Sequence, residues 1–170
     1  RTAGFNTVDI ASLGEGSKLL TVFLMIIGAS PGSTGGGVKT STFAVILLAL
    51  IASVRAHDEV NVYRHRFEDG LVQKAYRNAA LYVMMLLTGV FVLCAADGIG
   101  IGDALFEAAS ALGTVGLTGG ATMRTGTAGK LALILLMYAG RLGSLTVFLA
   151  VAKNNGDTRM KNAVGRVIVG

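Results

Sequence analysis

The chain has one cysteine, one proline and two histidines in 170 residues. Cys94 lies inside an apolar run, so a disulfide framework and a cysteine metal cluster are both excluded. His57 and His65 sit among charges in a polar segment, where solvation is expected rather than metal ligation. No grouping of His, Cys, Ser and carboxylates suggests catalysis, and an enzyme is not expected. No signal peptide is legible, and Arg1-Thr2-Ala3-Gly4 reads as a cut end in mid-motif. Gly32 to Thr40 approaches a phosphate-binding loop, but Val38 separates Gly37 from Lys39 and no strand precedes it. A nucleotide site and a bound cofactor are therefore not expected on this chain.

What the chain has in quantity is apolar surface and glycine. It is 52% hydrophobic, has 24 glycines, and has a mean hydropathy of +0.64. A soluble domain of this size rarely reaches that hydropathy. The net charge is +5, yet the basic residues do not gather on one face, so nucleic acid is not an expected partner.

The most informative stretch is Ala29 to Thr42, between the apolar runs Leu19–Gly28 and Phe43–Ala52. Each run is about half of the roughly 20 residues that cross a bilayer as a helix. Lipid offers no partner to free backbone groups, so irregular chain at that depth must be buried in protein or line a watery cavity. Lys39 within it strengthens the inference, because charge at such depth is costly and usually functional. Ala79–Ala96 and Leu131–Ala152 read as spanning helices, the second interrupted by Gly140-Arg141-Leu142-Gly143. Asp103–Leu112 reads as a short helix with Asp103 as its N-cap, and Gly113–Gly129 as a glycine- and threonine-rich connection.

Basic residues orient this layout. Nine of the fifteen Lys and Arg lie in the 55–77 loop and the 153–170 tail, and four lie on the opposite side. The remaining two, Lys39 and Arg141, fall within the membrane. By the positive-inside rule the loop and tail are cytoplasmic, and the chain is a multi-pass protein of the cell membrane. An internal repeat agrees. An offset of 112 takes Thr2-Ala3-Gly4-Phe5 to Thr114-Val115-Gly116-Leu117, Lys18 to Lys130 and Gly28 to Gly140. Each unit reads as short helix, Thr-x-Gly loop and inner helix. The divisions expected are 1–54, with a gating loop at 30–42, then 55–77, 78–152 and 153–170.

A half-membrane helix that ends at a Thr-x-Gly loop suits a cation. Its C-terminal carbonyls carry partial negative charge, and the next carbonyls can replace a hydration shell. Glycine at the third position permits the dihedrals that this needs. A secondary transporter for another small solute could also use a broken helix, without a carbonyl filter. Glu107 could place charge near a pore entrance or accept a hydrogen bond at the back of the helix. Asp97 and Asp103 would cap helices or weakly attract cations at the outer face.

The segments Arg1 to Thr7, Gly32 to Thr40, Leu105 to Leu117 and Gly140 to Gly143 resemble the Trk/Ktr/HKT superfamily of potassium transporters. They are most similar to the membrane subunit of bacterial Ktr systems. The resemblance implies an all-α integral membrane protein, with tandem helix–pore-loop–helix repeats around a pseudo-fourfold cation pore. This chain matches the end of the third repeat and all of the fourth. Filter residues would be Thr2, Ala3, Gly4, Phe5, Thr114, Val115, Gly116 and Leu117. A gate would be made by Gly32, Ser33, Thr34, Gly35, Gly36, Gly37 and Lys39 of the loop, with Arg141 facing them. The offset of 112 also places Arg141 opposite Ala29, at the loop's entrance. Arg141 would act as an electrostatic barrier or as a hydrogen-bond clamp. Lys39 would add to the barrier or snorkel toward the cytoplasm. Ser144 departs from the family pattern, which has proline there. Potassium would be the transported ion, with sodium possible. The implied partners are a ring of soluble nucleotide-binding regulatory subunits, a second copy in a homodimer, and the lipid bilayer.

Overall fold

A computed structural model describes residues 6–55, 61–62, 65–66 and 70–143. The first Thr-x-Gly segment, Thr2 to Phe5, together with Ser144 and the 153–170 tail, lies outside the described residues. The described part is helical: α1 (Glu15–Ile26), α2 (Thr40–Val54), α3 (Leu71–Asp97), α4 (Ile101–Leu112), α5 (Ala121–Arg124) and α6 (Thr127–Leu142). A 3-10 turn over Ile10–Ser12 precedes α1. The loop after α2 holds a two-residue antiparallel ladder, β1 (Asn61–Val62) with β2 (His65–Arg66), in which Asn61 faces Arg66.

Helix boundaries differ from the apolar runs wherever polar residues extend a helix. α3 starts at Leu71 rather than Ala79, so Lys74 and Arg77 lie on its first turns and the polar loop is shorter than 55–77. At 27 residues and about 1.5 Å per residue it is long enough to cross a bilayer. α2 starts at Thr40, which places Thr40, Ser41 and Thr42 in its first turn rather than in the loop. The irregular backbone begins earlier instead, at Ile27. Asp103 is not the N-cap of α4; Gly100 is. Asp103 lies in the first turn, where a carboxylate meets free N–H groups, and it pairs with Arg124 of α5 at 3.4 Å.

The short helix α4 is the centre of the fold, packed by α1, α3, α5 and α6. Its residues Ala104, Phe106, Ala108, Ala109, Ala111 and Leu112 are all buried. Small alanines let neighbouring backbones approach closely. Glycine does the same elsewhere. A Cβ on Gly89 of α3 would sit 2.5 Å from Leu136 of α6, and one on Gly140 of α6 would sit 2.1 Å from the Leu112 carbonyl oxygen. Many large apolar residues stay exposed, among them Leu19, Phe23, Met84, Phe91, Leu135 and Tyr138. These outward apolar faces suit lipid or further helices.

The repeat is visible in three dimensions. Gly14 caps α1 and Gly126 caps α6, at the same offset of 112. The first hydrogen bonds also correspond, Lys18 N to the Gly14 carbonyl and Lys130 N to the Gly126 carbonyl, each at 3.0 Å. Asp97, at the end of α3, accepts from Gly126 N at 3.0 Å and so holds the start of α6.

Candidate functional site

The backbone reverses immediately after α4. Gly113 ends the helix, and Thr114 takes φ 53. A β-branched residue with positive φ is a genuine outlier. Gly116 follows with φ 87, whereas Val115 and Leu117 keep negative φ. Left-handed φ thus recurs at alternate residues of this four-residue ribbon. Among the described residues, the carbonyls of Thr114, Val115 and Gly116 accept no hydrogen bond from the protein. The Leu117 carbonyl differs, since it accepts from Ser110 Oγ. The ribbon is tied to α4 at its base by Thr114 N to the Ala111 carbonyl (3.1 Å) and Val115 N to the Ser110 carbonyl (2.9 Å). The α4 axis therefore ends at this ribbon, with its negative pole toward it.

The break between α1 and α2 folds back on itself. Val38 N donates to the Ile26 carbonyl at 3.0 Å, and Gly28 N donates to the Val38 carbonyl, forming a short parallel bridge. At its tip Ser30-Pro31-Gly32-Ser33 make a turn closed by Ser33 N to the Ser30 carbonyl at 3.1 Å. Gly32 has φ 83, as the third residue of a type II turn requires. Gly28 must be glycine for a different reason: a Cβ would lie 2.7 Å from the Gly36 carbonyl oxygen. Lys39 is the N-cap of α2, where a cation meets the wrong pole of the helix. Its Nζ turns back and donates to the carbonyls of Ser33 (2.9 Å) and Gly35 (2.8 Å). Lys39 thus braces the loop from within.

Loop, ribbon and α6 meet at one point. Gly36 N donates to Thr114 Oγ1 at 2.7 Å. A Cβ on Gly36 would come within 2.8 Å of the Leu112 carbonyl oxygen, so the loop lies against the end of α4. Arg141, in the last turn of α6, donates from Nη1 to the Thr34 carbonyl at 3.0 Å. Of the residues named from sequence, Thr114 to Leu117, Gly32 to Gly37, Lys39 and Arg141 are thus gathered about the end of α4.

Two further side chains belong to this region. Glu107 faces the segment after the ribbon, at the back of α4, and not an open entrance. Ser110, which the motif reading left without a role, holds Leu117. Their i, i+3 spacing on one helix face was the available signal. Among the described residues no group of three His, Cys, Asp or Glu could hold a metal ion.

Comparison with known proteins places these features in context. A family model described as "TrkH: Cation transport protein" matches residues 1–161. "Ktr system potassium uptake protein B" of Bacillus subtilis is 37% identical over 170 residues, covering 100% of this chain and 38% of its own length. Its namesake in Vibrio alginolyticus is 36% identical over 153 residues, 90% of this chain and 34% of the relative. "Potassium/sodium uptake protein NtpJ" of Enterococcus hirae is 33% identical over 176 residues, 100% of this chain and 39% of the relative. The chain thus spans less than two fifths of the length of these relatives.

Proposed function

The chain belongs to the TrkH family of cation transport proteins, and we propose that it supplies one side of a potassium-selective uptake pore in the cell membrane. The relatives are named for potassium or potassium/sodium uptake and not for catalysis. The observation that carries the reading is the ribbon with positive φ at Thr114 and Gly116, with three carbonyls that have no donor among the described residues. Such a row can replace the water around a monovalent cation. Thr2, Ala3, Gly4 and Phe5 would form the corresponding segment of the preceding repeat.

The loop from Gly32 to Lys39 is the gate of this pore. It lies against the end of the helix that points at the ribbon, where it can obstruct passage. Arg141 holds it there and sets a positive charge beside the cation path. The basic 55–77 and 153–170 segments face the cytoplasm, where a ring of nucleotide-binding regulatory subunits releases the gate. The membrane subunit acts as a homodimer. Nucleotide binds the regulatory ring and not this chain.

The test is rubidium uptake by the full-length protein in lipid vesicles, driven by an inward gradient, with sodium or potassium as competitor. Uptake inhibited more strongly by potassium than by sodium is expected. Absence of any monovalent cation flux from folded, correctly inserted protein overturns the reading.

A further inference from the structure

Glu107 is 4% exposed, and a carboxylate is expensive to bury without partners. Here both oxygens are filled. Oε1 accepts from Thr118 Oγ1 at 2.6 Å and from Gly119 N at 3.0 Å. Oε2 accepts from Thr122 Oγ1. Two of these donors, Thr118 and Gly119, lie on the segment that leaves the carbonyl ribbon, and the third, Thr122, lies in α5, to which that segment leads. One turn further along α4, Ser110 holds the Leu117 carbonyl. Below that, two backbone bonds tie Thr114 and Val115 to the end of the helix. The ribbon is therefore held by α4 at its base and at Leu117, and Glu107 of the same helix holds the chain just beyond it.

We propose that Glu107 is a positioning residue for ion selection, its carboxylate holding the upper end of the ribbon so that the Thr114 to Gly116 carbonyls keep one spacing. This rests on the filter reading above. The argument is mechanical. Discrimination between two cations of one charge depends on where the coordinating oxygens are held. Without Glu107 the chain just beyond Leu117 is free to shift and to carry the end of the ribbon with it. A groove of about 410 Å3 adjoins the ribbon, lined by Glu107, Ser110, Thr114, Gly116, Leu133 and Met137. Val115 and Leu117 also pack into the core, and the hydrogen bonds from α4 add to that hold. Enclosure also argues against Glu107 as a lure for incoming ions, since its oxygens face the loop donors and not solvent.

The experiment compares variants of the full-length protein in vesicles, reading the ratio of potassium to sodium uptake alongside the amount of folded protein. Thr118→Val with Thr122→Val removes two donors at nearly constant shape and leaves the carboxylate in place. Glu107→Ala removes the acceptor. Both are expected to lower the ratio by about tenfold, the scale set by losing one or two such bonds. Glu107→Gln should restore most of the ratio, because its amide oxygen still accepts and its NH2 can donate to the Thr122 hydroxyl. Should Glu107→Ala fail to fold, the valine pair and the glutamine variant decide the matter.

An unchanged ratio in the folded valine pair overturns the proposal. So does a glutamine variant as poor as alanine beside a normal valine pair, which would assign the effect to charge. Gly116→Ser, measured in parallel, separates the two readings. If it shifts the ratio while the valine pair does not, the filter stands and the brace falls. If neither shifts it, both fall.

Discussion

The amide of Gly36 donates to the hydroxyl of Thr114 at 2.7 Å, joining the broken helix to the first residue of the carbonyl ribbon across 78 positions of sequence. Thr114 also holds φ 53, a conformation that costs a β-branched residue about 1–3 kcal/mol. The loop contact is one of the interactions that offset this cost. Loop and ribbon are in this way neighbours that share a bond, so a displaced loop releases a threonine hydroxyl at the base of the ribbon.

That contact can be measured directly. Thr114→Val removes the acceptor, and a typical hydrogen bond contributes about 1 kcal/mol. Amide hydrogen exchange at Gly36 should rise about fivefold in the valine variant. Thr114→Ser keeps the hydroxyl and should leave the exchange near its original rate. Equal protection in both variants would mean that the contact contributes nothing to holding the loop.

Arg141 reaches the Thr34 carbonyl of the same loop. Arg141→Ala removes both a tether and a positive charge, so potassium uptake by the full-length protein should increase. It should also depend less on the regulatory partner. The measurement is uptake with and without that partner. A fall in both conditions, with the protein still folded, would make Arg141 a structural clamp and remove the barrier role.

Gly116 has φ 87, so any side chain there adopts a disfavoured conformation as well as crowding the carbonyl row. Gly116→Ser should weaken the preference for potassium over sodium. Competition of the two ions for rubidium uptake reads this directly, and an unchanged preference would argue that Gly116 does not line the path.

Gly140 touches the end of α4 so closely that a Cβ would lie 2.1 Å from the Leu112 carbonyl oxygen. Gly140→Ala must push α6 away from α4, at a cost of about 1–3 kcal/mol. Gly16→Ala, in α1, has nothing within 4 Å of its Cβ. It should be neutral or stabilising, because alanine is the better helix former. Thermal unfolding in detergent should separate the two: Gly140→Ala melts several degrees lower and Gly16→Ala does not. Equal melting temperatures would show that α6 can shift freely.

Much of the architecture was legible before any coordinates. The apolar runs located α1, α2, α3 and α6, and the glycine-rich stretch between Ile27 and Lys39 showed where a helix must break. Both follow from local rules: helix periodicity, backbone freedom at glycine, and the length of a bilayer crossing. The offset of 112, which matched Lys18 with Lys130 at the starts of two apolar runs, also relates the glycines that cap α1 and α6. Helix starts were less legible. Lys74 and Arg77 on α3 are polar, so an apolar pattern begins too late; Asp103 resembles a cap but sits inside the first turn of α4.

Roles that depend on two distant segments were decided only in three dimensions. Lys39 was open between a barrier and a snorkelling side chain until the loop carbonyls of Ser33 and Gly35 came within its reach. Glu107 was open between pore entrance and helix back until Thr118, Gly119 and Thr122 were found on its oxygens. The Gly36 bond to Thr114 has no sequence signature, whereas the offset of 112 brought Arg141 to the loop without selecting the Thr34 carbonyl as its partner. Local chemistry sets which groups lack a partner within their own helix or turn. Only the packing around α4 selects which distant group meets that need, because a hydrogen bond demands about 3 Å and a direction that no spacing in the chain specifies.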